Sequence, residues 1–541
     1  MIHQHGGRPY EWVGSLSERR ATLSPDRVGL VDADTGTEYT YAELDRRANR
    51  TARLLRERGV GTGDRVAAVS RNRPAMVDLY FATGKLGAVL APLSHRLAPP
   101  ELAAMLDDVE PSALVVEEPF VADLRAALTH GDYTADVPPL VGLPADEGSI
   151  GDAGDADPAT AFTDPVDGQA WEPYADALPA DNSPVETVDV ALDDPHLFLH
   201  TGGSTGLPKE VVQTHGGIAW NAFNTVLSWG LRPDDVTPMV FPMFHTGGWN
   251  VLTVPFFHLG GTVIISRDFD PGEVLDLVEA RDCSVLVAVP AVLRFMVEDD
   301  DWEDTDLSSI RFAKSGGGPC RDSIIEAWAE RGVDLSQGYG LTECGPNNFA
   351  MPDDFDREKT ASIGMPGLYV DARVVDDEGA ELPPGEVGEL ELASPHAGDG
   401  YWNNPEETAE AFGSEGEAAW VSTGDLARVD GEGYYYIEGR KKNMFVSGGE
   451  NVYPPEVENV LAGHPKVEEV VVVPVDDETW GQVGKAVVQG DESLTLAELQ
   501  EYAEDRLAGF KTPRHLAFVD EMPTSGPSKI DRGAIEEEYG A

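Results

Sequence analysis

The chain has 541 residues, of which 39 are Lys or Arg and 97 are Asp or Glu, giving a formal net charge of −58 at pH 7. Hydrophobic residues make up 41% of the sequence, which is the apolar content of a globular chain of several domains and not that of a disordered acidic one. A charge of this sign and size argues against nucleic acid and anionic membranes as partners.

The acidic residues are spread along the whole chain, and only ten of the basic residues are lysines. Concentrated salt screens the repulsion between like charges that would destabilise such a fold at low ionic strength. The composition therefore predicts adaptation to a salty cytoplasm, as in a halophile. A merely acidic protein of an ordinary cytoplasm is the alternative.

Three cysteines, Cys283, Cys320 and Cys344, are odd in number and lack metal-ligand spacing, which predicts neither a disulfide framework nor a zinc site.

The amino terminus has no basic start followed by an apolar run, and the apolar window at 251–266 is interrupted by Thr, Pro, His and Gly. We expect a cytoplasmic protein without membrane insertion, and the sequence does not indicate its oligomeric state.

Helix and strand patterns alternate along the first part of the chain. The first clear helix is predicted to begin after Thr40, which forms a capping-box pattern with Glu43, and to end at Gly59. A strand at 65–69 follows, and then come helix 75–87 with strand 88–93, helix 273–282 with strand 284–290, and strand 311–318 with helix 322–332. This alternation predicts an α/β fold with mostly parallel sheets.

Two stretches depart from this alternation. Residues 131–190 are rich in Asp, Ala, Pro and Gly with little periodicity, and predict an acidic surface excursion. From about residue 439 the chain is basic and Gly-rich, and then shows the patterns of a small α+β unit, with helices at 454–464 and 495–510 and strands at 467–475, 485–490 and 515–520. We therefore predict a large domain of several subdomains over 1–439 and a small domain over 440–541, with the boundary at 440–442.

Residues 200–215, "HTGGSTGLPKEVVQTH", combine glycines, hydroxyl residues and one lysine directly after the apolar "LFL". Glycines let backbone N–H groups approach phosphate oxygens, hydroxyls add donors, and Lys209 supplies a compensating charge. The stretch is not a Walker A loop, because Leu207 and Pro208 separate the last glycine from the lysine and Glu210 follows it. Taken alone, the stretch favours a structural loop, because turns of Gly, Ser and Thr are common.

Four further motifs follow in order: "QGYGLTE" at 337–343, "STGD" at 422–425, "GRKKNMFVSGGENVYPPEVE" at 439–458, and a lysine in "PTSGPSKIDR" at 523–532. Together with the loop, they resemble the acyl-adenylate-forming superfamily, and within it the AMP-forming acyl-CoA synthetases. The resemblance spans about residues 20–535. It implies an enzyme that activates a carboxylic acid with ATP to acyl-AMP and then transfers the acyl group to CoA, releasing AMP and pyrophosphate.

The resemblance implies which residues would hold the phosphates. They are Thr201, Gly202, Gly203, Ser204, Thr205, Gly206 and Lys209. Gly202 stands where the family usually has serine, which removes a hydroxyl donor. Glu210 stands where the family usually has glycine, which makes Glu210 a candidate partner of Lys209 before ATP binds.

The same resemblance implies the other nucleotide contacts. Thr342 resembles a phosphate and metal contact and Glu343 a magnesium ligand, which suits a hard cation with oxygen ligands. Asp425 would accept hydrogen bonds from both ribose hydroxyls, and Arg440 would contact ribose and phosphate. Gly316, Gly317 and Gly318 resemble the segment that lies along the adenine. Tyr339 and Gly340, in the motif of Thr342, are further candidate nucleotide contacts.

In the small domain, Lys442 aligns with the hinge about which that domain rotates between the half-reactions, which implies that the domain is mobile. Lys529 resembles the lysine that bridges the substrate carboxylate and the α-phosphate, although Ser528 stands where glycine is usual. The tunnel for the pantetheine of CoA would be lined by Ser447, Gly448 and Gly449. No carrier-protein segment follows residue 541, so a free thiol such as CoA is the expected acceptor.

The acyl pocket is expected at 242–250, "PMFHTGGWN". His245 stands where amino-acid-activating relatives carry an aspartate for the α-amine, which favours an acid without that amine. His245 is similar to the gate residue of acyl- and aryl-CoA ligases, and a hydrogen-bonded core histidine is equally compatible. Gly247 and Gly248 are expected to leave space and Trp249 to form an apolar wall, for an aliphatic or an aromatic acid.

Two other functions stay open at this point. One is an adenylating enzyme with a different acceptor, such as a carrier protein or oxygen. The other is a nucleotide-binding relative that has lost catalysis, to which the altered residues Gly202 and Glu210 give slight support.

Overall fold

The computed structural model describes residues 14–131, 133–145, 162–166, 168–201, 209–352, 355–413, 420–477, 479–504, 506–524 and 530–540. In chain order the strands are β1 Val28–Asp32, β2 Thr37–Thr40, β3 Arg65–Val69, β4 Val89–Leu93, β5 Ala113–Glu117, β6 Leu140–Leu143, β7 Trp171–Pro173, β8 Pro195–Thr201, β9 Lys209–Thr214, β10 Val236–Met239, β11 Thr262–Ile265, β12 Val285–Ala288, β13 Phe312–Ser315, β14 Leu335–Gln337, β15 Phe349–Ala350, β16 Met365–Pro366, β17 Asp371–Val375, β18 Gly388–Ala393, β19 Val421–Val429, β20 Tyr435–Arg440, β21 Phe445–Ser447, β22 Glu450–Val452, β23 Val467–Asp477, β24 Gly481–Gly490 and β25 His515–Phe518. The α-helices are α1 Leu16–Leu23, α2 Tyr41–Glu57, α3 Pro74–Leu86, α4 Pro99–Val109, α5 Val121–Leu128, α6 Tyr174–Ala177, α7 His215–Ser228, α8 Thr253–Leu259, α9 Pro271–Ala280, α10 Pro290–Glu298, α11 Asp322–Glu330, α12 Pro405–Ala411, α13 Pro454–Ala462, α14 Leu496–Glu504 and α15 Arg532–Tyr539.

The largest sheet has the strand order β7-β6-β5-β3-β4-β8-β9. Its strands pair in parallel from β7 to β8, and β9 alone turns back antiparallel on β8. Successive side chains of β3 enter opposite cores, Val66 and Ala68 on one face and Ala67 and Val69 on the other. Burial on both faces is what a parallel sheet covered by helices requires, and it explains the near-continuous apolar strands.

Helix α2 begins as its sequence predicts. The Thr40 side chain accepts a hydrogen bond from the Glu43 backbone N–H at 3.3 Å, and the Glu43 carboxylate accepts one from the Thr40 backbone N–H at 2.8 Å. Both halves of the capping box are therefore formed.

Smaller sheets complete the part of the chain before residue 440. One has the order β10-β11-β1-β2, and β12, β13 and β14 form an all-parallel sheet. The antiparallel sheet β17-β18-β19-β20 follows, and β20 ends at Arg440. The five-stranded sheet of β21 to β25, with α13, α14 and α15, comes after it. The α/β class, with a large first part of mostly parallel sheets and a smaller carboxyl-terminal part, is confirmed.

The prediction of a surface excursion over 131–190 is wrong in part. Strands β6 and β7 add two parallel strands to the edge of the large sheet, and the buried Tyr174 hydroxyl lies 2.6 Å from the Thr51 hydroxyl. A strand of three or four residues is too short to show a period, which is why composition misled here. Residues 146–161 and Asp167 lie outside the described residues.

Within the described ranges, no helix combines the length and the apolar composition needed to cross a bilayer. Cys283, Cys320 and Cys344 are all buried and form no disulfide.

Candidate active site

The predicted phosphate loop connects the antiparallel strands β8 and β9. Thr201 and Lys209 are the last pair of the ladder, so they stand on either side of the loop entrance. The loop glycines Gly202, Gly203 and Gly206, with Ser204 and Thr205, lie outside the described residues. Strands β3, β4 and β8 run in parallel toward this edge, and the carboxyl ends of parallel strands are where α/β proteins bind ligands.

Lys209 forms an ion pair with Glu407 in the first turn of α12, and its ammonium lies 5.2 Å from the centre of the Tyr401 ring. The expectation that Lys209 pairs with Glu210 is therefore wrong. Neighbouring residues of a strand point to opposite faces, so Lys209 and Glu210 diverge.

Glu210 lies inside the protein, with 1% of its surface exposed. It is paired in register with His200 of β8, and neither carboxyl oxygen has a hydrogen-bond partner in the described part of the chain. Burial, with a smaller contribution from Asp108, raises the pKa of the Glu210 carboxyl to about 8. A neutral carboxyl therefore lies beneath the entrance to the loop at neutral pH.

The segment of Thr342 and Glu343 is a single 3₁₀ turn, Thr342–Cys344. The Thr342 carbonyl accepts a hydrogen bond from the Gln213 side chain at 2.8 Å. One carboxylate oxygen of Glu343, Oε1, accepts a hydrogen bond from the Tyr401 hydroxyl at 2.8 Å. Burial, and to a smaller extent the charge of Glu343, raises the pKa of Tyr401. Among the described residues no hydrogen bond to the second oxygen is found, and the residue is half-buried, so Glu343 offers a carboxylate ligand of the kind that Mg²⁺ prefers.

The predicted adenine wall follows β13. A Cβ atom added at Gly316 or Gly318 would meet no heavy atom within 4 Å, so open space lies beside both residues. Gly317 has a φ of +84°, which favours glycine. At Gly340 an added Cβ would lie 1.9 Å from the Pro346 carbonyl oxygen, so only glycine fits there.

Asp425 and Arg440 face each other across β19 and β20. The Asp425 carboxylate is buried. One of its oxygens pairs with the Arg440 guanidinium at 2.7 Å, and the other accepts a hydrogen bond from the Tyr339 hydroxyl at 2.5 Å. Arg440 also donates to the Thr423 carbonyl at 3.1 Å. The structure thus brings together Tyr339, Asp425 and Arg440 from three separate motifs.

The residues predicted to form the hinge and the pantetheine tunnel follow Arg440 in the chain. Lys442 is in the 3₁₀ turn Lys441–Asn443, and Ser447 begins the tight turn between β21 and β22. Gly448 and Gly449 have φ angles of +64° and +91°, and a Cβ at Gly448 would lie 2.4 Å from the Trp480 ring. Lys529 lies outside the described residues.

The carboxyl-terminal sheet touches the first part of the chain close to the adenine wall. Arg321, three residues beyond Gly318, forms an ion pair with Glu469 of β23 and donates to the Glu468 carbonyl at 3.2 Å.

The acyl motif differs from expectation. The His245 side chain is exposed, which makes the alternative of a core histidine wrong. Gly247 and Gly248 do not leave space, because an added Cβ would lie 2.7 Å from the Phe241 ring and 2.4 Å from the Pro242 carbonyl oxygen, respectively. Trp249 is fully buried and stacks on Tyr80 at 5.1 Å between ring centres, so it belongs to the core.

Three residues at this site carried no functional signal in the sequence: Gln213, Tyr401 and Glu407. Residues 400–407, "GYWNNPEE", show an Asn404 cap before Pro405, which indicates only the start of a helix. That Tyr401 reaches Glu343 and Glu407 reaches Lys209 depends on how α12 packs.

Fold and site together define an α/β nucleotide-binding protein with a small carboxyl-terminal unit. The protein-family comparison is more specific: residues 17–402 match the AMP-binding enzyme family and residues 456–529 match the AMP-binding enzyme C-terminal domain. The chain belongs to this family, as the order of its motifs predicts. It is an acyl-adenylate-forming CoA ligase, which activates a carboxylic acid with ATP and transfers the acyl group to CoA.

Similar proteins cover essentially the whole chain. Feruloyl-CoA synthase of Amycolatopsis sp is 38% identical over 98% of this chain and 99% of its own length. Indoleacetate–CoA ligase of Aromatoleum aromaticum is 34% identical over 97% of both chains, and a long-chain-fatty-acid–CoA ligase of Mycobacterium tuberculosis is 32% identical over 98% of this chain and 99% of its own. ATP-bound MatB from Rhodopseudomonas palustris superposes with a TM-score of 0.82, at 31% identity, over 97% of this chain and 99% of that one.

We predict that Glu210→Gln makes the protein more stable relative to the wild type as the pH rises. The raised pKa keeps Glu210 protonated in the folded protein while the unfolded carboxyl ionises above about pH 4.3. Wild-type stability therefore declines between about pH 4.3 and 8 by on the order of several kcal/mol, and Gln carries no such proton. Thermal unfolding followed by circular dichroism from pH 5 to pH 8.5 measures the difference.

The control is Glu326→Gln, an exposed carboxyl on α11, which is expected to follow the wild type at every pH. A Glu210→Gln curve parallel to that of the wild type would contradict a neutral Glu210.

Proposed function

We propose that the protein is a magnesium-dependent ligase that joins an aromatic carboxylic acid to CoA by way of an acyl-AMP. The observation that carries the nucleotide assignment is the joining of Tyr339, Asp425 and Arg440 at the edge of β19 and β20. For the acid, the support comes from the relatives of highest identity above, whose names specify feruloyl and indoleacetate groups.

In this proposal the ribose binds at Asp425. A carboxylate only accepts hydrogen bonds, which suits the two hydroxyl donors of a ribose, and the bonds from Tyr339 and Arg440 hold the Asp425 carboxylate in place. The adenine lies along the open side of Gly316 and Gly318.

The triphosphate enters between Thr201 and Lys209. Lys209 exchanges Glu407 for phosphate oxygens, which releases a carboxylate near the mouth of the site. Thr342 and Glu343 are the residues that would hold Mg²⁺, which would offset the charge of the pyrophosphate leaving group. The Tyr401 hydroxyl orients Glu343 by its hydrogen bond to one oxygen.

In the first half-reaction, a carboxylate oxygen of the acid attacks the α-phosphorus of ATP, and the bond to the bridging oxygen of pyrophosphate breaks. Two anions must approach each other in a protein with a net charge of −58, so the few cations at the site carry most of the neutralisation. Lys529 is proposed to bridge the carboxylate and the α-phosphate, by the family resemblance.

In the second half-reaction, the CoA sulfur attacks the acyl carbonyl and AMP leaves. We infer that the domain of residues 440–541 first rotates about Lys442, relative to residues 1–439, and that Ser447, Gly448 and Gly449 then line the path of the pantetheine. His245, exposed at the acyl motif, is proposed as the gate next to the acid.

A panel of aromatic and aliphatic acids, assayed with ATP and CoA and analysed by mass spectrometry, tests the substrate class. We expect aryl and arylalkenoic acids to give the highest kcat/KM. A preference for unbranched fatty acids would instead support the likeness to the long-chain ligase.

We predict that Lys529→Ala abolishes acid-dependent exchange of labelled pyrophosphate into ATP but spares thioester formation from supplied acyl-AMP. Only the first half-reaction needs a cation between the two anions. Lys511→Ala is the control, because Lys511 lies in the same domain and pairs with Glu456. Equal loss of both half-reactions would contradict the role of Lys529.

We predict the reverse for Lys442→Pro, which should keep pyrophosphate exchange and lose thioester formation. Proline fixes φ near −65° and so hinders a rotation about this residue. Lys442→Ala removes the charge without fixing the backbone and is expected to retain both activities. Full thioester formation by the proline variant would count against the hinge.

We infer from the charge that the protein is adapted to high salt. The pattern of its amino terminus and its unpaired cysteines favour the cytoplasm as its compartment. Removing KCl is expected to unfold it, because unscreened repulsion then acts across the whole surface. Circular dichroism at 222 nm during dialysis from high to low KCl measures this. Full secondary structure in dilute buffer would overturn the inference.

A further inference from the structure

A helix defect lies in the acyl motif. Residues Gly247–Val251 form a π-turn, and after a break at Leu252 the chain continues as α8. Residue 255 is a proline, so it has no N–H to donate. In an α-helix, the Val251 carbonyl would accept a hydrogen bond from the backbone N–H of residue 255, four residues later. In a π-helix, the Asn250 carbonyl would accept one from the same N–H, five residues later. Because residue 255 is proline, neither hydrogen bond can form.

Two asparagine side chains supply the missing donors. The Asn347 amide donates to the Val251 carbonyl at 2.9 Å and to the Asn250 carbonyl at 3.1 Å. The Asn221 amide, from α7, donates to the Asn250 carbonyl at 2.6 Å. Both asparagines are buried, at 1% and 2% exposure, so these bonds do not compete with bulk water.

Asn347 stands in the loop that carries the proposed metal ligand, four residues after Glu343. The loop is held on its other side as well: the Asn347 carbonyl accepts a hydrogen bond from the Asn224 amide at 2.7 Å, and the Asn347 amide nitrogen also lies 2.8 Å from the Thr225 hydroxyl. The amide has two hydrogens for its three acceptors, so one hydrogen is shared between two of them. One amide thus connects the acyl motif to the segment of Thr342 and Glu343. Unmade bonds at these buried carbonyls would be costly, which makes the connection rigid.

We propose that Asn347 is a positioning residue for adenylation: its amide replaces the donor that Pro255 lacks and fixes the acyl motif relative to the phosphate and metal segment. This role rests on the proposed function. It accounts for a buried asparagine whose side-chain amide is directed at two backbone carbonyls of the turn. In-line attack on the α-phosphorus requires that the acid and the triphosphate be held at a fixed distance and orientation relative to each other.

The role of Asn347 is tested by Asn347→Ala alone and in a Pro255→Ala background. Loss of the amide is expected to lower the rate of acid-dependent pyrophosphate exchange roughly tenfold or more, because misplacement of the reactants is costly. Equilibrium binding of MgATP alone should stay within about threefold, since the nucleotide residues are untouched. In the Pro255→Ala background, the introduced alanine supplies a backbone N–H to the Val251 carbonyl, and the loss of rate caused by Asn347→Ala should shrink markedly.

Hydrogen–deuterium exchange of peptides covering residues 247–259 measures how firmly the turn is held, independently of enzyme activity. Faster exchange in Asn347→Ala, reversed by Pro255→Ala, is expected. Asn347→Ser, which retains one donor, replaces the alanine variant if that fails to fold. Asn49→Ala is the control, because Asn49 is a buried asparagine in α2 whose side chain bonds Asp45 and Val185.

The proposal is overturned if the rate is unchanged, if Asn49→Ala lowers it equally, if MgATP binding falls in parallel, or if Pro255→Ala leaves the deficit intact. A wild-type protein without acid-dependent exchange would contradict the proposed function instead. In that case deuterium exchange still decides whether Asn347 holds the turn.

Discussion

The cations at the nucleotide site are held by the protein's own carboxylates, and this pairing organises the site. Lys209 is bound to Glu407 and Arg440 to Asp425, while Arg321 joins the carboxyl-terminal sheet through Glu469. In the proposed function, phosphate oxygens replace Glu407 at Lys209 while Arg440 keeps Asp425, so both cations are in place before ATP arrives.

Hydrogen bonds from polar side chains also connect motifs that are distant in sequence. Gln213 holds the Thr342 carbonyl, Tyr401 holds Glu343, and Asn347 holds the π-turn of the acyl motif. Each bond satisfies a backbone or carboxylate group that burial would otherwise leave unpaired. Hydrogen bonds between loops therefore fix the segments of the proposed site, and the parallel sheets serve as the frame to which those loops are attached.

Much of the fold was predictable from local pattern. The capping box of Thr40 and Glu43 marks the start of α2, and the apolar runs at 65–69 and 285–288 are buried strands, because in these places local and tertiary preferences agree. The short strands β6 and β7 escaped prediction, since three or four residues carry no readable period. The prediction that Trp249 forms a wall of the acyl pocket was wrong for a different reason. The sequence around an aromatic residue does not show whether its ring faces a ligand or the core, and Trp249 is fully buried.

The sequence by itself determined the class of the protein, because five motifs in a fixed order constrain the chemistry of phosphate, ribose and metal contacts. Tertiary structure alone decided which groups meet. Lys209 reaches Glu407 and not its neighbour Glu210, and Glu210 is driven into the interior, where its pKa rises to about 8. The physical reason is that side-chain direction within a strand follows from its period, whereas partners across loops follow from the packing of α12 and α7, which no local pattern encodes.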